Sequence, residues 1–76
     1  MTLQLNENTA FVSGRKDPDE TTENFNMQAV NLKMLADKWK AQLLIDVSTP
    51  ECVQMLFSFE NKELLTLFQN RIKEGL

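Results

Sequence analysis

Between Phe25 and Leu43 the apolar residues keep a helical rhythm. Phe25, Ala29, Leu32, Ala36, Trp39 and Leu43 recur at alternating spacings of four and three, with Leu35 beside them. At about 100° per residue these positions share one face, so the spacing predicts an α-helix from Phe25 to about Leu43 that buries the stripe. Near its end, Leu43-Leu44-Ile45-Asp46-Val47 turns toward a β pattern.

The period changes a few residues later. In CVQMLFSFE, from Cys52 to Glu60, Val53, Met55, Phe57 and Phe59 alternate with Cys52, Gln54, Leu56, Ser58 and Glu60. Period two with a β-branched residue and aromatics predicts a strand. Thr49-Pro50-Glu51 is then a turn with proline at its second position. The rival reading makes Thr49 an N-cap and Pro50 the first residue of a helix.

The flanks complete the order. Thr2–Leu5 and Thr9–Ser13 are short β-friendly runs around the polar turn Asn6-Glu7-Asn8, with Gly14 ending the hairpin. Residues 15–24 (RKDPDETTEN) hold no apolar side chain and read as a polar loop. Within it, Asp17, Pro18 and Glu20 could open one helical turn as N-cap, first position and capping box. Asn61 caps a last helix whose Leu64, Leu65, Phe68 and Ile72 share a face that Leu76 continues. Arg71 and Lys73 suit its C-terminal end, and Gly75 its stop. The expected fold is α+β over a single domain, residues 1–76. Two hairpins form a small antiparallel sheet with two helices on one face, in the order ββαββα. The alternative, a helical segment at 50–59, is an all-α three-helix domain.

Composition removes much chemistry. The 76 residues are 42% hydrophobic and 25% charged, an ordinary globular balance. With one cysteine and no histidine, an intrachain disulfide, a structural zinc site and a Ser-His-Asp or Cys-His arrangement are all excluded. Gly14 and Gly75 are the only glycines, so no phosphate-cradling Gly-rich loop exists. Asp17, Asp19, Glu20 and Glu23 lack the spacing and central glycine of a calcium loop. Cys52 has no histidine to activate it and reads as a small structural residue. The expectation is a chain that is not an enzyme and takes no cofactor or metal.

No apolar run exceeds three residues, too short to span a membrane. The start, Met1-Thr2-Leu3-Gln4-Leu5, has neither a basic segment nor an apolar h-region, so no signal peptide is expected and the cytoplasm is the expected compartment. A net charge of -3 disfavours general binding to a phosphate backbone. Lys33, Lys38 and Lys40 surround Trp39 in sequence but fall on different flanks of the helix, so nucleic acid is not the expected partner.

One feature of the long helix exceeds what a core requires. Met27, Val30, Met34 and Ala41 project about 140–200° from Phe25, opposite the core stripe. A surface helix of a two-layer domain needs one apolar stripe, and methionine is adaptable and common at binding surfaces. Either the chain folds over this second side, or these are scattered exposed residues, or Met27, Val30 and Met34 bind a partner. The expected function is a non-catalytic protein-binding module, a subunit, adaptor or regulator, with another protein or a second copy as partner and a homodimer through this helix face as one form. The alternative, tied to the three-helix fold, is a small nucleic-acid-binding or transcription-regulatory domain.

Overall fold

The structure is a computed structural model that describes residues 2–74. Two hairpins meet in one antiparallel sheet. Strands β1 (Thr2–Asn6) and β2 (Thr9–Arg15) form the first; β3 (Gln42–Ser48) and β4 (Cys52–Ser58) form the second. Helix α1 (Thr22–Lys38) joins them and α2 (Lys62–Lys73) follows. The strand order is β1-β2-β4-β3, so β2 and β4 lie in the centre and β1 and β3 form the edges. The α+β order ββαββα is therefore the fold, and residues 52–58 are strand rather than helix.

Alternation places the core. Ala10 and Val12 on β2 and Val53, Met55 and Phe57 on β4 point to one face and are buried, while Phe11, Leu56 and Gln54 point to the other. Onto the inner face α1 lays Phe25, Ala29, Leu32 and Ala36, and α2 lays Leu65 and Phe68. The Phe68 ring lies 5.6 Å from Phe57 and 5.1 Å from Phe59, both in tilted packing. Such aromatic pairs add about 0.5–1.5 kcal/mol each beyond the area they bury. Phe59 continues the sheet past β4: its N–H donates to the Asn8 carbonyl at 2.8 Å, and Asn8 Nδ2 donates to the Phe59 carbonyl at 2.6 Å.

Several boundaries differ from those the sequence suggests, each for a local reason. Gly14 does not end the hairpin; it lies within β2 opposite Val53. Helix α1 is capped by Thr21, whose hydroxyl accepts from the Asn24 N–H at 3.1 Å. Asp17 is not the cap. Its carbonyl accepts from the Glu20 N–H at 3.0 Å and closes a separate turn over Pro18 and Asp19. The helix also stops at Lys38, not near Leu43. Lys40 takes a φ of 58°, its N–H donates to Asp37, and the Ala41 N–H reaches back to Ala36 at 3.0 Å. This is the paired hydrogen bonding of a Schellman stop, with lysine in the left-handed position usually held by glycine. Trp39 becomes the half-buried C-cap and Leu43 a residue of β3 opposite Phe57. Asn61 caps α2 as expected, its side chain accepting from Leu64 N at 3.0 Å. The expected roles of Gly75 and Leu76 lie outside the described residues. Among the described residues no helix is long and apolar enough to cross a membrane.

The helices divide the inner face. Lys33 of α1 bridges Asp46 of β3 at 2.8 Å, and Asn26, Val30 and Lys33 share a groove with Ser48, Thr49 and Pro50. Helix α1 therefore covers the β3–β4 side and runs opposite to β3. Lys62, Leu65, Thr66 and Gln69 of α2 line a groove with Leu5 and Glu7, so α2 covers the end of the first hairpin.

Candidate functional site

The second stripe of α1 is uncovered. Met27 is 58% exposed, Val30 47% and Met34 66%, and no described segment folds over them. Ala41, the fourth member by the helical wheel, is not part of this face. It follows the helix stop and packs half-buried against the core. The structure thus brings Met27, Val30 and Met34 together on α1 and removes Ala41.

Strand β3 exposes a second apolar set, which periodicity on α1 could not reveal. All seven of its residues are exposed. Its large apolar side chains, Leu43, Leu44, Ile45 and Val47, retain between 38% and 51% of their surface. The cause is topological. As an edge strand, β3 pairs only with β4 and leaves its other row of backbone N–H and C=O groups free of strand partners. A bulge at Leu43–Ile45 places Leu44 as an extra residue in the strand. Ile45 and Val47 pair with Leu56 and Gln54 on the sheet face away from the helices, and Phe11 lies beyond Leu56. The sequence signal was the apolar run Leu43-Leu44-Ile45, which has no polar alternation for a solvent face.

The edge carries little charge. Asp46 is its single ionisable residue, and the 2.8 Å bridge to Lys33 pairs it within the chain. Edge strands that stay solitary commonly carry lysine, proline, an inward-pointing charge or a bulge, and β3 has the last two in Asp46 and Leu44. From Gln42 to Ser48, β3 has no lysine and no proline.

Other candidates give no site. Among the described residues no polar or charged side chain is buried, and no group of three His, Cys, Asp or Glu side chains could hold a metal. Cys52 is a half-buried free thiol at the start of β4. Its N–H donates to the Thr49 hydroxyl at 2.9 Å, and that hydroxyl donates to the Cys52 carbonyl at 3.1 Å, which fixes the β3–β4 turn. Glu20 accepts from Gln28 Nε2 at 2.7 Å, while Asp17 and Asp19 are exposed. Nor do the lysines form a basic face: Lys33 is paired with Asp46, and Lys38 stacks 5.4 Å from the Trp39 ring. Compared with family models, curated proteins and solved structures, the chain matches none.

Proposed function

We propose that this chain is a non-catalytic protein-binding module, a subunit, adaptor or regulator in the cytoplasm, and that it binds through the outer side of α1. One observation carries the reading. Met27, Val30 and Met34 form an exposed apolar stripe on the opposite side of α1 from its core contacts. Isolated surface hydrophobics are ordinary; three apolar residues on one exposed side of a helix, opposite its core contacts, are the pattern of a binding surface. The net charge of -3 and the pairing of Lys33 with Asp46 favour a protein surface over a phosphate backbone as partner.

The test compares the wild-type chain with Met34→Glu by sedimentation and by affinity capture from cells. A binding surface predicts a folded variant that loses association. A variant that associates like the wild type refutes this surface, and one that unfolds shows Met34 to be core.

A further inference from the structure

We propose that the open edge of β3 takes an extended peptide of a partner protein as a fifth, antiparallel strand, with a basic side chain of that peptide against Asp46. This is a second surface, separate from the outer side of α1. Hydrogen-bond accounting locates it. The Thr49 N–H donates to the Cys52 carbonyl at 2.8 Å. Backbone direction alternates along an antiparallel pair. In the register Ile45↔Leu56, Asp46↔Met55, Val47↔Gln54, Ser48↔Val53, the N–H and C=O of Ile45 and Val47 therefore face β4, and those of Asp46 and Ser48 face away. No strand lies on that side, and these four groups have no partner among the described residues. They are the donors and acceptors that one more strand requires. The bulge at Leu44 limits the regular stretch to Ile45–Ser48.

An added strand meets different chemistry on its two faces. Its side chains opposite Asp46 and Ser48 point to the helix side, and those opposite Ile45 and Val47 to the other. On the helix side the flank of α1 roofs the edge. Lys33 bridges Asp46 at 2.8 Å, and Asn26, Val30 and Lys33 form a groove with Ser48, Thr49 and Pro50 that has room for a small side chain. On the other side Ile45 and Val47 are 43% and 48% exposed, and apolar side chains of the added strand cover them.

Charge chooses the occupant. Asp46 is the only ionisable residue of β3, and its side chain is 37% exposed despite the bridge. Lys33 contacts Oδ2, which leaves Oδ1 for a second cation. Side chains directly opposite on a sheet stand about 5 Å apart at Cβ, so an arginine there reaches this oxygen. The net charge of -3 draws a basic peptide and repels an acidic one. The inward charge that makes the edge a poor match for an apolar strand thus makes it selective for a basic one. Read from its N-terminus, the peptide places a small residue opposite Ser48, an apolar one opposite Val47, a cation opposite Asp46 and an apolar one opposite Ile45.

The probe is the blocked synthetic peptide threonine-alanine-valine-arginine-valine-threonine. Titration followed by amide NMR should show saturable binding. Hydrogen exchange at Asp46 and Ser48 should slow on binding, while Ile45 and Val47, already bonded to β4, change little. Asp46→Asn, or glutamate in place of the peptide's arginine, should weaken binding about tenfold or more. Ser48→Pro removes a donor that faces only the open edge, so the domain should stay folded by circular dichroism and lose the peptide. N-methylation of the peptide's arginine amide should have the same effect with the protein unchanged. Met34→Glu should leave binding intact. No saturable binding overturns the inference, as does binding that survives both the N-methyl and the glutamate peptides. Binding lost in Met34→Glu also overturns it, because the peptide then sits on the outer side of α1, and the proposed function stands. Protection of Asp46 and Ser48 that rises with protein concentration in the absence of peptide gives the edge to a second copy and overturns it as well.

Discussion

Two substitutions on α1, two residues apart, should separate the folding side of the helix from the binding side. Leu32 is 3% exposed within the core, and Met34 is 66% exposed. Leu32→Ala removes buried methyl groups and leaves a cavity, a loss of about 2–5 kcal/mol. A domain of this size has about 4–11 kcal/mol of stability in total, so that variant should be marginal or unfolded. Met34→Glu behaves differently. Full burial of a methionine is worth about 1.5–3 kcal/mol, and only a third of this one is covered, so less than about 1 kcal/mol of packing is at stake. Glutamate has a helix propensity close to that of methionine, and the new carboxylate stands one turn before Lys38, where an ion pair returns about 0.3–0.5 kcal/mol. The net change should be within about 1 kcal/mol. Urea denaturation followed by the fluorescence of Trp39, the single tryptophan, measures both. Dilute protein keeps association out of the result. A loss of 2 kcal/mol or more for Met34→Glu in dilute protein would refute the reasoning, because the stripe would then be part of the core.

Three further outcomes follow from local geometry. Asn61→Ala removes the side-chain acceptor for the Leu64 N–H and should lower stability by about 1 kcal/mol, read as a shifted urea midpoint with unchanged slope. Lys40→Gly relieves a side chain held at φ 58°, so it should be neutral or raise the melting temperature, whereas Lys40→Val should lower it, because a β-branched side chain tolerates that region less well than an unbranched one. A double-mutant cycle on Lys33 and Asp46, both about a third exposed, should give a coupling of less than about 1 kcal/mol that shrinks in high salt.

Where a segment's own pattern decided its structure, the sequence was legible. The alternation Val53, Met55, Phe57, Phe59 indicated β4 because a one-residue slip would have moved those side chains out of the core. The stripe Phe25, Ala29, Leu32, Ala36 indicated α1 for the corresponding reason. Trp39 and Leu43 continue the same rhythm in sequence, yet the helix stops before both. A lysine in the left-handed position gives no warning, since the stop depends on backbone bonds from Lys40 and Ala41 rather than on a glycine. At the other end of α1, Asp17-Pro18 carries stronger capping residues than Thr21. Thr21 takes the role because the helix must begin where Phe25 can reach the core.

The candidate surface divides along the same line between local and non-local information. Met27, Val30 and Met34 could be seen because a helix's faces follow from its own spacing. The β3 half could not, because exposure there depends on which strands become edges. Pairing Phe11 with Leu56 and Val12 with Met55 puts β2 and β4 in the centre and expels β3 to the rim. Had β3 paired with β2 instead, Ile45 and Val47 would have had neighbours on both sides, and the α1 stripe would have stood alone. The central pairing and the short α1 stop at Lys38 act together: one leaves β3 open, and the other frees residues 42–48 to be a strand at all. The open rim of the sheet is thus a consequence of topology, whereas the apolar side of α1 follows from the helix's own spacing, and the two face different sides of the fold.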